Sequence, residues 1–408
     1  METIERVYRE EFGRVVASLA RRFGDIDVAE DAAGEALVVA LEKWPVDGVP
    51  PNPGAWLTTT ATRKAIDRIR RESHRDAKQR AAHLMQDDTP HEPTGPVQDD
   101  RLRMVFTCCH PALAPEARVA LTLRLLGGLS VAEIAQAFLV PETTMAQRIT
   151  RAKRKIATAG IPYRVPSLAD LPERVAGVLA VVYLVFNEGY LSTAPSQRGA
   201  SVRDDLTAEA IRLGRILHDL LPDEPEVTGL LALMLLTEAR RPARLAADGS
   251  LVPLPEQDRG AWSRPLVEEG HALVRECLRT GRPGRFQVMA AVNAVHTDAR
   301  VAADTDWGQI AALYGQLVRL DPSPVVELNR AIAVAELDGP EVGLALVDRL
   351  QPALSRYHPF HATRADLLRR LGRSGEARAA YDAALALIDN PAETTYLTRR
   401  RDQLGPAS

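Results

Sequence analysis

The sequence predicts an all-α protein, and three observations support that fold class. Aromatic residues make up only 5% of the 408 residues, whereas Ala, Leu, Arg and Glu, which favour helices over strands, are abundant. Apolar residues recur at helical spacing along most of the chain. Prolines and glycines cluster between these segments. We therefore expect several helical domains joined by short or Pro-rich connections.

The composition also excludes several classes of protein. Three cysteines cannot form a disulfide framework, which indicates a reducing compartment. The N-terminal residues include acidic side chains and no apolar signal core, so we do not expect secretion. The longest apolar run, residues 175–186, has 12 residues, whereas a membrane-spanning helix needs roughly 20. We expect a cytoplasmic protein with no membrane segment.

Charge is distributed unevenly along the chain. The net charge is −3, but residues 1–50 carry 6 basic and 11 acidic side chains. Residues 101–156 carry 9 basic and 3 acidic side chains. Such a basic block attracts polyanions, nucleic acid among them, although a solvated helix face gives the same count. The context of the basic residues has to decide between the two.

Residues 1–80 are predicted to form a first helical unit. Residues 27–44 read as a helix whose buried stripe contains Val28, Ala32, Leu37, Leu41 and Trp44. A loop rich in Pro and Gly follows at residues 45–54, and a second helix is predicted over residues 55–75.

A basic patch lies on this second helix. Eight basic residues fall between Trp56 and Arg80, against three acidic ones. An aromatic ring beside a basic helix suits unpaired bases, which stack on the ring while cations follow the backbone. A Trp at a helix start is more often a core residue, so the patch alone is a weak signal. The candidate residues are Trp56, Arg63, Lys64, Arg68 and Arg71.

A helix-turn-helix is predicted within residues 101–160. Ser130 and Glu133 form a capping box that starts one helix, and residues 139–141 form the turn, with Pro141 in the first turn of the next helix. Buried positions on that second helix are Met145, Ile149, Ala152 and Ile156. The opposite face carries Thr144, Gln147, Arg148, Arg151, Arg154 and Lys155. A polar face rich in Arg and Gln suits the major groove of DNA; the alternative is a structural hairpin.

The remainder of the chain is predicted to be helical, except for a turn at residues 248–249. The last 120 residues contain a weak repeat, in which Pro322 and Pro391 are 69 residues apart, about two periods of the 34-residue tetratricopeptide unit. Small and aromatic residues follow that repeat's spacing: Ala365, Gly372, Ala377, Tyr381 and Ala384. A generic helical bundle is the alternative.

The first 160 residues resemble the extracytoplasmic-function class of bacterial sigma factors. Residues 27–35, followed by Leu41 and Trp44, look like the polymerase-binding helix of sigma domain 2, with Gly34 where family members commonly have Gln. Residues 52–57 and 65–71 look like the helix that opens and holds the −10 element. The helix-turn-helix matches sigma domain 4, which reads the −35 element.

The resemblance implies a domain order and a role for each group of residues. It implies domain 2 at residues 1–80, a flexible linker at 81–100, domain 4 at 101–160, a helical extension at 161–280 and tetratricopeptide-like repeats at 281–408. Glu30, Asp31 and Glu35 would bind core RNA polymerase. The first basic patch would hold the −10 strand, and the helix-turn-helix face would read the −35 element of promoter DNA.

The C-terminal part resembles the long extension of one subgroup of these sigma factors. The stretches that carry this resemblance are residues 183–190, 239–241, 258–259, 321–326 and 357–359. The resemblance implies that the extension regulates the protein, and it implies a link to a small regulatory protein of the DGPF type.

No motif in the sequence predicts catalysis, a cofactor or a metal. Walker, Rossmann and GxSxG patterns are missing from the sequence. The run Cys108, Cys109 and His110 has no partner pair at metal-ligand spacing, and we expect it to be a packed helix start before Pro111.

Two other functions remain open at this point. A promoter-binding repressor or activator with a ligand-sensing or dimerising repeat domain would explain the helix-turn-helix, but it leaves the first 80 residues without a role. A scaffold with an incidental basic face is the third alternative.

Overall fold

The structure, a computed structural model, describes residues 2–75, 100–138, 140–167, 169–191, 202–246, 248–388 and 390–404. Helices account for most of these residues, and no strand occurs among them. The all-α prediction is confirmed. The chain divides into two compact units, Met1–Glu188 and Gly189–Ser408. Most of the predicted linker at residues 81–100 lies outside the described residues, and Asp100 already begins a helix.

The N-terminal unit contains seven described helices and most of an eighth. They are α1 (Glu2–Phe23), α2 (Ile26–Asp47), α3 (Pro53–Arg75), α4 (Asp100–Cys108), α5 (Pro115–Leu125), α6 (Val131–Ala137), α7 (Glu142–Thr158) and α8 (Leu171–Leu191), whose last residues belong to the second unit.

Helices α1 to α3 pack together through an apolar seam. Asp25 caps the N-terminus of α2, where its carboxylate accepts hydrogen bonds from the backbone N–H groups of Asp27 and Val28. On α3, Leu57, Ala61 and Ala65 recur every four residues and are all buried. These three positions form the buried stripe of α3.

The stripe predicted for α2 is correct at Ala32 and Trp44, which are buried, and wrong at Leu41, which is exposed, while Val28 and Leu37 are half-buried. Most inward residues of α2 are alanines, at positions 29, 32, 33, 36 and 40, and small side chains let α1 and α3 approach closely. Leu41 is 46% exposed and Val38 54% exposed. The helix also continues through Pro45 to Asp47, so the predicted loop is shorter than residues 45–54.

Helices α6 and α7 form the predicted helix-turn-helix. The Ser130 hydroxyl accepts a hydrogen bond from the Glu133 N–H at 3.1 Å, and the Glu133 carboxylate accepts one from the Ser130 N–H at 2.7 Å. The buried positions of α7 are the four that were predicted: Met145, Ile149, Ala152 and Ile156. Pro141 is the residue just before α7 rather than part of its first turn.

The second unit continues with eleven described helices. They are α9 (Val202–Leu220), α10 (Pro225–Glu238), α11 (Arg264–Thr280), α12 (Arg285–Asp298), α13 (Trp307–Leu320), α14 (Pro324–Asp338), α15 (Pro340–Asp348), α16 (Gln351–Leu354), α17 (His358–Arg370), α18 (Ser374–Leu385) and α19 (Pro391–Asp402).

Helix α10 is the central element of this unit. It is buried on almost every side and packs against α9, α11 and α12. At Gly229 a Cβ atom would lie 2.6 Å from the backbone nitrogen of Gln287. Only glycine therefore allows α10 and α12 to approach as closely as they do.

The C-terminal helices pack in sequence-adjacent pairs. Ala365, Ala377, Tyr381 and Ala384 are buried between α17 and α18, and Gly372 makes the turn between them with φ of +73°. Pro324 and Pro391 each open a helix directly after a capping residue, Ser323 or Asn390. The structural counterpart of Pro391 is thus Pro324, two residues later than the predicted Pro322.

The predicted turn near Gly249 is confirmed. Leu245 and Leu251 form an isolated antiparallel bridge around it, and Gly249 has φ of +79°. Within the described part of the chain, none of the helices combines the length and the apolar character that crossing a lipid bilayer requires.

Candidate nucleic-acid interface

One face of α7 is open to solvent and basic. Thr144, Gln147, Arg151 and Arg154 are exposed, and Arg148 is half-buried. Lys155 is also exposed, and its ammonium donates a hydrogen bond to the carbonyl of Ala112. None of the arginines on this face forms an ion pair within the described residues. The six predicted residues therefore lie outside the buried stripe of α7, five of them exposed and Arg148 half-buried.

Lys153 points away from this face and toward α2. Its ammonium lies 2.7 Å from Asp27 Oδ1 and 2.5 Å from Glu30 Oε2. Burial would lower the pKa of Lys153, but the Glu30 and Asp27 carboxylates outweigh it and raise that pKa. Arg124 on α5 places Nε 2.5 Å from Glu30 Oε1. Glu30 is thus enclosed by Arg124 of α5 and Lys153 of α7, and it is 7% exposed.

Two further contacts join α1 to the later helices of this unit. The Tyr163 hydroxyl lies 2.7 Å from the carbonyl oxygen of Ala17 and 3.0 Å from that of Asp100, and burial raises the pKa of this phenol. Arg21 pairs with Asp100 at 3.1 Å. Helical periodicity does not single out Tyr163 or Asp100, because both act through contacts with residues that are distant in the sequence.

The acidic residues predicted to bind polymerase also face the basic residues of α3. Arg68 Nη1 lies 2.5 Å from Asp31 Oδ2, and Lys64 Nζ lies 3.7 Å from Glu35 Oε2. These pairs are half-exposed, so each contributes only about 0–1 kcal/mol and exchanges readily for another partner. Arg63 and Arg71 are exposed on the same helix.

Trp56 occupies an intermediate position between core and surface. Its ring lies 5.3 Å from that of Trp44, centroid to centroid, in an edge-to-face arrangement at 62°. Trp44 is buried, whereas Trp56 is half-buried. The pair anchors Trp56 at the start of α3 and leaves part of its ring at the surface.

The sequence analysis missed that Val38 and Leu41 are exposed beside the predicted acidic residues of α2. Asp31, Glu35, Val38 and Leu41 share the outward side of the helix. The signal was present in the inward alanines, because a helix with small residues on its packed side presents its larger apolar residues outward. Together these residues form a mixed acidic and apolar strip, which we name the α2 strip.

The cysteine run ends a helix instead of starting one, which corrects the prediction made for it. Cys108 is the last residue of α4. Burial raises the pKa of the Cys108 thiol and raises that of Cys109 to about 11. Burial, together with Arg174 and Arg118, lowers the pKa of His110. No group of three or more potential metal ligands occurs in the part of the chain that the structure describes.

Comparison with known proteins places three family descriptions on the chain. "Sigma-70 region 2" matches residues 7–75, and "Sigma-70, region 4" matches residues 103–156. "Family of unknown function (DUF6596)" matches residues 174–278.

Two relatives and no solved structure match. An uncharacterized protein of Rhizobium meliloti, R00370, is 45% identical over 397 residues, which cover 96% of this chain and 93% of that protein. The ECF RNA polymerase sigma factor SigK of Mycobacterium ulcerans is 30% identical over 148 residues, 35% of this chain and 76% of SigK. No solved structure matches the chain.

Proposed function

We infer that this chain, which belongs to the extracytoplasmic-function class of the sigma-70 family, directs core RNA polymerase to specific promoters and initiates transcription there. The observation that carries this inference is the exposed basic face of α7 in the same unit as the α2 strip. One surface suits DNA and the other suits a protein partner.

The face of α7 is proposed to read the −35 element in the major groove. Arg148 and Arg151 would contact bases or phosphates, and Gln147 and Thr144 would assist. Arg154 and Lys155 lie toward the end of the helix, where they would neutralise phosphates. This arrangement needs no movement of α6 or α7, because the buried stripe of α7 already holds the face outward.

The start of α3 is proposed to hold the unwound −10 strand. Trp56 would stack on a base or wedge between strands, and Arg63, Lys64, Arg68 and Arg71 would follow the backbone. Lys64 and Arg68 would then exchange their half-exposed carboxylate partners on α2 for phosphates.

The α2 strip is proposed as the docking surface for core polymerase. Exposed Val38 and Leu41 supply apolar area, and Asp31 and Glu35 supply charge. Glu30 is covered by Arg124 and Lys153, so any contact between Glu30 and polymerase requires that this enclosure opens first.

The C-terminal unit is proposed to regulate the N-terminal one. Paired helices with small residues at their seams fit tetratricopeptide-like stacking, and such stacks bind peptides or partner proteins. A small DGPF-type protein is the partner that the family resemblance implies. We place the protein in the cytoplasm, and polymerase, rather than this chain, would carry out the catalysis.

Run-off transcription with purified core polymerase tests the proposal. Full-length protein should direct specific initiation from a promoter, and Arg148→Ala should lower it without reducing polymerase binding. Glu35→Ala should weaken binding to core polymerase while leaving the affinity of the free chain for −35 DNA unchanged. Arg279→Ala, which removes an exposed arginine from α11, serves as the control.

Two outcomes would contradict the assignment. Specific DNA binding with no association with core polymerase would favour the repressor or activator. A protein that binds neither polymerase nor DNA in a salt-dependent way would favour the scaffold.

A further inference from the structure

Three arginines of the C-terminal unit, two of them shielded from solvent and the third half-buried, have no carboxylate of the described residues in ion-pair contact. Arg240 and Arg244 follow the end of α10, and Arg259 begins a short helical turn at Arg259–Ala261. Within the described residues, no Asp or Glu oxygen lies within ion-pair distance of any of the three. Shielded cations are normally paired, because burying an unpaired charge costs several kcal/mol.

Arg240 is the least compensated of the three. Its Nη2 donates a hydrogen bond to Asn293 Oδ1 at 2.6 Å. Its Nε is shielded from solvent and has no acceptor at all. The Asn293 amide oxygen is a neutral acceptor. It leaves the positive charge of Arg240 uncompensated and its Nε–H without an acceptor.

Arg244 and Arg259 find only neutral partners. Arg244 is 8% exposed and donates to the carbonyl of Tyr190, and its Cζ lies 4.3 Å from the centre of the Tyr190 ring. Arg259 donates to the carbonyls of His296 and Ala299 at 2.5 and 2.7 Å. Burial lowers the pKa of all three guanidinium groups.

No neighbouring carboxylate of the described residues makes an ion pair with these arginines, although the charge of Asp304 acts on Arg259 from beyond ion-pair distance. Glu238 Oε1 is held by Arg241 at 2.6 Å, and its Oε2 has no hydrogen-bond partner, so it does not bond to Arg240. Glu393 pairs with His358 at 3.0 Å. Burial, with Arg240 and Arg259, lowers the pKa of His296 to about 4, so this imidazole is neutral near pH 7.

We propose that Arg240, with Asn293 and Arg259 beside it, forms a binding site for a small oxyanion group, a phosphate or a carboxylate. The site lies between the end of α10 and the middle of α12. A planar guanidinium matches both groups through paired N–H donors, and a bound oxyanion would satisfy the Nε that has no acceptor. This site does not depend on polymerase binding.

Thermal unfolding of the full chain tests the site with defined probes. Inorganic phosphate and acetate are titrated separately at constant ionic strength, with chloride making up the difference. One of the two should raise Tm by about 3–6 °C and reach a plateau, as a specific ligand does. The probe that saturates at the lower concentration identifies the group.

Arg240→Met separates a binding arginine from a structural one. The variant should lose the saturable rise, and without a probe its Tm should equal or exceed that of the natural protein, because an uncompensated charge has been removed. Arg240→Lys keeps the charge but not the planar fork, and should need at least about fivefold more probe. Arg279→Met on α11 should keep the full rise.

Three results would overturn the proposal. They are the lack of a plateau with both probes, an equal rise with chloride alone, and a full rise in Arg240→Met. Should Arg240→Met fail to fold, calorimetric titration of the natural protein and of Arg240→Lys with phosphate and acetate decides the matter, and equal affinities for both proteins would reject the site.

Discussion

Lys153 of α7 holds Glu30 of α2 in a close ion pair, 2.5 Å between Nζ and Oε2, across two parts of the chain that lie far apart in sequence. The side of α7 that we propose to read DNA remains exposed while this pair is made. The contact therefore covers part of the proposed polymerase surface and none of the proposed −35 surface.

Weakening this pair should strengthen polymerase binding. We expect Lys153→Gln to bind core polymerase about 3–30-fold more tightly, because less free energy is spent in uncovering Glu30. The same variant should lose about 1–3 kcal/mol of stability toward urea, since Glu30 keeps only Arg124. Fluorescence titration and urea unfolding measure the two effects, and Lys153→Arg should resemble the natural protein.

A zero-length cross-linker reports on the contact without any substitution. A carbodiimide should join Lys153 to Asp27 or Glu30 in the free chain, and mass spectrometry of the peptides locates the link. Addition of core polymerase should reduce its yield. An unchanged yield in the polymerase-bound chain would show that the pair does not open.

Arg151→Ala should weaken binding to a −35 duplex by about 1–3 kcal/mol if the arginine contacts a base. If it contacts a phosphate, the loss should be similar for all sequences, and the slope of log K against log salt should fall by about 1. Fluorescence anisotropy at several salt concentrations distinguishes these results. Arg279→Ala should leave both the affinity and the slope unchanged.

The buried thiols predict a loss of stability at alkaline pH. The pKa of Cys109 is raised from 9.0 to about 11 in the folded protein, so the fold keeps a proton that the unfolded chain releases. Stability should therefore fall as the pH rises from about 9 toward 11. Denaturant unfolding across that range measures it, and Cys109→Ala should show a shallower decline. An identical decline in the variant would assign the effect to other groups.

Gly229→Ala should destabilise the C-terminal unit by about 1–3 kcal/mol or more, because its methyl group would meet the backbone of α12. Gly315→Ala on α13 is the matched control, since nothing lies within 4 Å of its Cβ position. That control should be neutral or stabilising by up to about 1 kcal/mol. Calorimetric unfolding of both variants tests the pair.

The point of truncation matters for testing the regulation proposed for the C-terminal extension. A chain ending at residue 165 loses Arg174, which donates to the carbonyl of Phe106 and lies over its ring. It also exposes the end of α4. A chain ending at residue 191 keeps these contacts, so it should unfold at a higher temperature than the shorter one. Transcription by the longer fragment, compared with the full chain, then gives the sign of the regulation.

Local pattern predicted the helix-turn-helix almost completely. The capping box at Ser130 and the four buried residues of α7 follow from spacing alone, because capping and helical periodicity are decided by near neighbours. The basic face followed as the complement of that buried stripe.

Periodicity wrongly placed Leu41 of α2 in the core, because most inward residues of this helix are alanines. A hydrophobic scale ranks Leu41 above Ala40, but the close approach of α1 and α3 favours the smaller residue. The enclosure of Glu30 was equally hidden, because the ion pairs with Arg124 and Lys153 join residues about 100 positions apart and leave no local trace in the sequence.

The outward valines and leucine of α2 have a practical consequence for handling the protein. Val38, Leu41 and Val46 are all at least 40% exposed, and exposed apolar patches of this kind favour association between molecules. At high concentration and without polymerase, purified chains should adhere to one another through this helix. Light scattering should then fall when Leu41 is replaced by Gln. Self-association of the purified chain would therefore report on whether the exposed side of α2 is covered.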